Sequence, residues 1–324
     1  MAEAGENQTQ TPEIPSEGWD TLLILQRHSA YNSGRPADRY SLTDEEKSTL
    51  GRLTPDTEEK VGGKTLATES AKTRLDAIME NDPANTDFLV VSSPTFWLDE
   101  PQFGQRARET ADIIVEQIKQ ELESRGLSHD QILNTHTAPV SPEGKIPLRG
   151  TRFRTEESAP ESTAKLETSL RESQMFQFPE YAAYLRGKYG GQGPDFWKNR
   201  NLDTDKDKRE ELGAPGPDDD ARDINMAISS EARYARLWHQ NLANSGRKLV
   251  VWNVTHGDGL EPYLQRVVGV GPEEFSAGYN SGVAIAISGE SATANISGRA
   301  FEIPLASHGT DILPAKPKPA EDED

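Results

Sequence analysis

Short apolar runs that alternate with helical patterns constrain the fold of this chain more than any other feature of its sequence. Four such runs, rich in β-branched residues, lie at residues 22–25, 88–91, 249–254 and 283–287. Short continuous apolar runs are typical of strands that are buried on both faces of a sheet. Their alternation with helical patterns predicts an α/β fold with three layers, in which a mainly parallel sheet is flanked by helices on both faces. The helices are expected at roughly 65–80, 105–125, 178–188, 229–245 and 259–268, with Gly246 as the C-cap of the fourth.

Polar stretches outline the expected domain organisation. Residues 1–17 are polar and rich in Pro and Glu, which predicts a disordered N-terminal segment, and residues 314–324 read as an acidic, disordered tail. We expect residues 18–313 to form a single domain, because strand signals lie on both sides of each polar stretch inside it. Three of those stretches, 33–64, 138–166 and 199–223, are expected to be insertions or long loops.

The overall charge narrows the range of partners. The formal net charge is −19, from 35 basic and 54 acidic residues, so the surface repels nucleic acid and anionic membranes at long range. An anionic substrate would therefore need clustered arginines and histidines that reverse the field locally. The chain has no cysteine, which excludes disulfides, thiolate zinc sites and cysteine nucleophiles. It also lacks a run of ~18 apolar residues and a basic, apolar N-terminal leader, and we expect a cytoplasmic protein without a membrane span.

Histidines and arginines follow three of the predicted strands. Arg27 and His28 come directly after the first apolar run, and His256 follows the third. Ser93 and Pro94 end the second, and Arg106 opens the helix beyond it. Ligands of open parallel sheets bind outside the carboxyl ends of the strands, so these side chains are expected at one rim.

The residue types at this rim suit phosphoryl transfer. A neutral imidazole is a competent nucleophile towards phosphorus, and the phosphoimidazole that it forms can be hydrolysed. Guanidinium groups match phosphate oxygens and stay charged at any relevant pH. A second histidine, when protonated, would neutralise charge that builds on the equatorial oxygens. The leaving alcohol also needs a proton donor, usually a carboxylic acid.

These segments resemble the signatures of the histidine phosphatase superfamily, whose fold is phosphoglycerate-mutase-like. Leu25-Gln26-Arg27-His28-Ser29 is similar to its Arg-His-Gly motif. Ser93-Pro94 followed by Arg106-Ala107-x-x-Thr110-Ala111 is similar to its Ser-Pro…Arg-Ala-x-Gln-Thr-Ala segment, and Thr255-His256-Gly257 to its second His-Gly. The matching pieces occur in the same order as in the family and span residues 22 to about 290.

The resemblance implies a role for each matching residue. His28 would be the nucleophile that accepts the phosphoryl group. Arg27, Arg106 and His256 would bind that group, with Asn32 in the place of an asparagine that helps to hold the phosphate. Glu172, in a Leu-x-Glu pattern, would be the general acid.

Three departures from the family pattern leave alternatives open. Ser29 stands where the family has glycine, and a positive φ there would strain the backbone. An extra segment, 95–105, separates Ser-Pro from the arginine, so Arg108 remains an alternative to Arg106. The glycine expected after the acid is missing, which keeps Glu167 and Glu180 as substitutes for Glu172.

The resemblance predicts a phosphatase that hydrolyses phosphate monoesters through a phosphohistidine on His28. A phosphomutase of the same fold and a catalytically weakened module that binds phosphorylated ligands are the alternatives. The expected partner is a small phosphorylated substrate or a phosphoprotein, and the sequence does not indicate an oligomeric state. We expect no cofactor and no metal, because no motif of the His-Glu-x-x-His type is present.

Overall fold

The computed structural model describes residues 12–32, 49–80, 82–93, 106–133, 175 and 178–305, together with the backbone of two short strands at 145–147 and 165–167. The expected insertion at 95–105, most of the segment 138–166 and the acidic tail at 314–324 lie outside these residues. The last part of the N-terminal segment that was expected to be disordered lies against the sheet, where Glu13 forms an antiparallel bridge with Asn295.

Eight strands are present in the described part of the chain: β1 (Thr21–Arg27), β2 (Thr86–Ser92), β3 (Lys145–Pro147), β4 (Lys165–Glu167), β5 (Lys248–Thr255), β6 (Gly282–Ser288), β7 (Ser291–Ile296) and β8 (Arg299–Glu302). Six of them form one sheet in the order β2, β5, β1, β6, β7, β8, and β3 pairs with β4. β5 is parallel to both β1 and β2, whereas β1–β6, β6–β7 and β7–β8 are antiparallel. The prediction of a mainly parallel sheet is therefore wrong, because the sheet is mixed.

Tight turns account for the antiparallel half of the sheet. Ser297 and Gly298, with φ of 51° and 74°, connect β7 to β8. Positive φ at both central residues is the geometry of a type I′ turn, which reverses the chain within two residues. Gly289, with φ of 61°, lies in the turn between β6 and β7. These hairpins leave no room for a crossover helix, so the strands after β6 run antiparallel.

Seven α-helices lie in the described residues: α1 (Gly63–Met79), α2 (Arg106–Ser124), α3 (Pro179–Lys188), α4 (Pro194–Asn201), α5 (Lys206–Glu211), α6 (Pro217–Gln240) and α7 (Gly257–Tyr263), which continues into a π-helical turn, Leu264–Val268. The helices predicted at roughly 65–80, 105–125, 178–188 and 259–268 are confirmed. The helix predicted at 229–245 starts and ends earlier, as α6. Gly246, with φ of 72°, is therefore not its C-cap and lies in the turn before β5. None of the described helices is both long and apolar enough to cross a lipid bilayer.

The charge-dense stretch 199–223 is helical, which corrects the expectation of a long loop. It contains the end of α4, all of α5 and the start of α6. Three successive aspartates occupy the first turn of α6, where negative charge is favourable near the helix N-terminus. The Asp219 carboxylate also accepts a hydrogen bond of 2.8 Å from the Gly216 N–H at the helix start. Some of the acidic residues that suggested a solvated loop therefore mark the start of a helix.

Hydrophobic side chains pack on both faces of the sheet. Leu22 and Ile24 belong to one cluster, together with buried residues of α1 and α2. Leu23 and Leu25 belong to a second cluster, with residues of α6 and α7. This alternation follows from the two-residue period of a strand. Because β1 and β2 both run parallel to β5, the carboxyl ends of the three strands lie together at one edge of the sheet. Arg27 is opposite Thr255, and Ser92 is opposite Val254.

Candidate active site

His28 lies at the carboxyl end of β1, buried between neighbouring strands. Its backbone N–H donates to the Thr255 carbonyl at 2.9 Å, and its side chain is 2% exposed. The ring Nδ1 is 2.8 Å from the Ser29 carbonyl oxygen. A carbonyl oxygen can only accept, so Nδ1 carries the proton and Nε2 presents its lone pair.

Arg106 joins the two histidines. It is the first residue of α2, and its Nε donates to His28 Nε2 at 2.9 Å. One of its terminal nitrogens lies 3.4 Å from His256 Nδ1. The rings of His28 and His256 are 5.1 Å apart between centroids. Arg108 is exposed on the same helix, so the geometry singles out Arg106 over Arg108.

Two tyrosines that the sequence did not single out surround this group. The Arg106 guanidinium lies 4.5 Å from the Tyr31 ring centroid, and the Arg27 guanidinium lies 4.5 Å from that of Tyr279. Both rings contact His28, with centroid separations of 5.1 Å for Tyr31 and 6.0 Å for Tyr279. Cation–π contacts of this kind hold the guanidinium groups in place beside the histidine. The only sequence signal was the closeness of Tyr31 to His28 along the chain.

Burial and positive charge keep both histidines neutral. Burial is the main cause that lowers the pKa of His28 well below its ordinary value, followed by the positive charge of Arg106, by His256 and by Arg27. The pKa of His256 is lowered by burial and then by Arg106 and Arg27. A neutral His28 is the form with a nucleophilic lone pair. A bound dianion would reverse the local field and favour protonation of His256.

Arg27 lies close to the start of α7. Gly257, the first residue of α7, lies so close that an added Cβ would be 3.1 Å from Arg27 Cδ. Glu261, one turn further along α7, accepts hydrogen bonds from the Ala277 N–H at 2.9 Å and from the Asn201 side chain at 2.8 Å. Burial raises the pKa of Glu261, and the positive charge of Arg27 opposes that rise. Glu261 is a third residue near the site, after Tyr31 and Tyr279, that sequence reasoning missed.

Asn32 and Ser29, the two other residues near His28 that the sequence singled out, lie in the described part of the chain. The Asn32 backbone N–H donates to the Arg52 carbonyl at 2.8 Å, and its side chain donates to the Thr49 hydroxyl at 3.1 Å. These bonds attach Asn32 to the segment before α1, and its role in binding phosphate stays a prediction. Ser29 is fully buried and does not adopt a positive φ, so a serine at this position causes no backbone strain.

The proton donor stays a prediction. Glu172 lies outside the described residues, and of Glu167 only the backbone, in β4, is described. Glu180 is exposed in the first turn of α3 and has no hydrogen bond or ion pair with either histidine. Among the residues that the structure describes, no group of His, Asp and Glu side chains is arranged to hold a metal ion.

Comparison with known proteins does not place this chain in a family. No family model matches its sequence, and a comparison with curated proteins finds no relative. The case for a function therefore depends on the residues themselves and on their geometry.

Proposed function

We propose that this chain is a phosphatase that hydrolyses phosphate monoesters through a phosphohistidine on His28, with the phosphoglycerate-mutase-like, three-layer fold of the histidine phosphatase superfamily. The observation that carries the proposal is the state of the His28 ring. Its Nδ1 donates to the Ser29 carbonyl, and its Nε2 lone pair points at the Arg106 guanidinium. A buried nucleophile whose lone pair faces a cation is arranged to meet an electrophile that carries negative charge.

The residues support a two-step reaction. When a phosphate monoester binds, its oxygens take over the N–H groups of Arg106, and the Nε2 lone pair becomes available to attack phosphorus. The N–P bond forms as the bond between phosphorus and the leaving oxygen breaks, and a carboxylic acid gives its proton to the departing alkoxide. Water then attacks phosphorus while the carboxylate takes one of its protons, and the N–P bond breaks. This step releases inorganic phosphate and restores both the neutral imidazole and the carboxylic acid. Arg27, Arg106 and His256 are the groups that would stabilise the phosphoryl oxygens during both steps.

The two arginines beside His28 also supply the local positive charge that an anionic substrate needs on a strongly acidic protein. Its net charge is −19, yet Arg27 and Arg106 both lie beside His28 and act on its protonation. Each guanidinium packs against a tyrosine ring. Part of the conformational entropy of the arginine side chain is therefore already lost before a ligand binds. A preorganised cationic site of this kind favours a phosphate oxyanion over an uncharged ester.

Intact-protein mass spectrometry after alkaline quenching tests the proposal directly. Incubation of the wild-type chain with p-nitrophenyl phosphate is expected to add one phosphoryl group, which is lost under acid, while inorganic phosphate accumulates. The His28→Ala variant should lose both signals. The matched control is His129→Ala, which removes a histidine that is 45% exposed and pairs with Glu123, and it should keep both. Phosphate release by His28→Ala at the wild-type rate would contradict the proposal.

A further inference from the structure

We propose that Ser29 is a positioning residue for His28, because its buried hydroxyl fixes the peptide carbonyl that accepts the Nδ1 proton. The inference rests on the proposed function of His28 as the nucleophile. It concerns the residue directly after His28, where the Arg-His-Gly motif that this segment resembles has glycine. Ser29 touches no reacting atom itself, and it acts through the orientation of the His28 ring.

The hydroxyl of Ser29 uses both its donor and its acceptor capacity. It donates to the Gly63 carbonyl at 2.7 Å and accepts from the Asn280 side-chain amide at 2.9 Å. The backbone N–H of Ser29 donates to the Thr110 hydroxyl at 3.1 Å. Residues of α1, of α2 and of the segment before β6 therefore hold Ser29 from three directions. Because the residue is fully buried, no solvent competes for these bonds.

Asn280 anchors this arrangement in the centre of the sheet. It adopts a left-handed conformation with φ of 58°, and its side-chain oxygen accepts from the Gln26 amide at 3.3 Å. Gln26 in turn accepts from the Trp252 indole N–H at 2.9 Å. The carbonyl of Asn280 accepts from the guanidinium of Arg74. Strands β1 and β5 and helix α1 thus all help to hold the amide that binds Ser29.

The orientation of the Ser29 carbonyl decides which nitrogen of His28 is nucleophilic. While the carbonyl lies 2.8 Å from Nδ1, the proton stays there and the lone pair is on Nε2, towards Arg106. If the carbonyl turned away, the ring would also populate the tautomer with its proton on Nε2. That proton would block attack and repel the Arg106 N–H. A glycine at this position supplies no hydroxyl to prevent such a turn.

Nitrogen NMR of the full-length chain labelled with ¹⁵N-histidine tests the inference without relying on catalysis. The His28 signals are assigned by their loss in His28→Ala. In the wild type, we expect a single tautomer with the proton on Nδ1. In Ser29→Ala, we expect the two ring nitrogens to shift towards the averaged values of a tautomer mixture. Asn280→Gly removes the same amide donor while supplying the residue best suited to a positive φ, and it should shift the signals in the same direction. It serves as the second test if Ser29→Ala does not fold.

Kinetics provide the second measurement. Both variants should lower kcat for p-nitrophenyl phosphate by roughly 10- to 100-fold with little change in KM, because the ring is misplaced while the arginines remain. Ser229→Ala, which removes a hydroxyl that is 1% exposed on α6, is the matched control and should keep both the tautomer and kcat. A folded Ser29→Ala or Asn280→Gly with the wild-type tautomer and kcat would overturn the inference. A wild type that shows the Nδ1–H tautomer but forms no phosphohistidine would instead refute the proposed function.

Discussion

At the level of single residues, the environment of His28 and His256 sets which groups are charged before a ligand binds. Burial and the arginines lower the pKa of both histidines, so both rings are neutral at physiological pH. A histidine whose folded pKa lies below its unfolded value binds fewer protons in the folded state. Folding is therefore progressively destabilised as the pH falls from the unfolded value of about 6.5 towards the lower folded pKa. Acid should weaken the site and the fold together.

Arg106→Lys provides the sharpest test of a single residue at the site. A lysine keeps the charge but loses the planar fork that reaches His28 and His256 at once. We expect kcat/KM for p-nitrophenyl phosphate to fall by roughly 100-fold or more, as a loss of transition-state stabilisation of about 3 kcal/mol implies. The matched control is Arg108→Lys, two positions further along α2 and exposed, which should change kcat/KM by less than about twofold. Equal losses in the two variants would contradict the assignment of Arg106.

At the level of the elements, the start of α1 packs against the segment that follows His28. An added Cβ on Gly63 would lie 1.8 Å from the Ala30 carbonyl oxygen, so only glycine allows this approach. The Gly63 carbonyl is also the acceptor for the Ser29 hydroxyl. Helix α1 therefore contributes to the site through backbone atoms, which no pattern of side-chain types reveals.

Gly63→Ala should consequently destabilise the fold. The methyl group meets backbone, which cannot move without shifting the segment after β1, and overpacking of this kind costs about 1–3 kcal/mol. Gly187→Ala is the matched control, because this glycine lies within α3 and nothing lies within 4 Å of an added Cβ. That change should stabilise the fold by up to about 1 kcal/mol, since alanine is the better helix former. Denaturant unfolding measures both, and a Gly63→Ala variant as stable as the wild type would refute the close approach.

On the scale of the whole molecule, a carboxyl group lies buried between helix α6 and the sheet. Glu231 of α6 is fully buried and accepts a hydrogen bond of 2.8 Å from the Asn253 amide in β5. Burial raises the pKa of Glu231 to about 8. The folded state therefore holds a proton that the unfolded chain releases near pH 4.5, the ordinary value for glutamate. This contribution to stability declines as the pH rises from about 4.5 to about 8.

Glu231→Gln should remove that decline. Glutamine is neutral at every pH and similar in shape, so above pH 8 the variant should be more stable than the wild type by about 2–4 kcal/mol. At pH 5 the two should be nearly equal, because the wild-type carboxyl is protonated there in the folded state. Glu180→Gln, at an exposed position on α3, is the control and should stay within about 0.5 kcal/mol at both pH values. Unfolding curves at the two pH values measure the difference, and a parallel pH dependence for wild type and Glu231→Gln would contradict a buried, protonated Glu231.

Local patterns in the sequence were enough to predict the core strands, most of the helices and the placement of His28, Arg27 and His256 at strand ends. Apolar periodicity depends on neighbours along the chain, and it is readable wherever a segment is buried on a defined face. The same reasoning did not predict β7 and β8, because both strands contain polar residues. It also missed the acidic start of α6.

The tertiary structure alone decided the contacts between segments that lie far apart in the chain. Arg106 is buried on the face of α2 that packs against the sheet, whereas Arg108 is exposed. Tyr31 and Tyr279 meet around His28 although almost 250 residues separate them, and Asn280 reaches Ser29 across a similar distance. Sequence patterns record which residues are apolar or charged, whereas the proton on His28 Nδ1 depends on the direction of a carbonyl group that the packing of three elements determines. That is why the sequence could propose His28 as a nucleophile, while only the fold shows which of its ring nitrogens carries the proton.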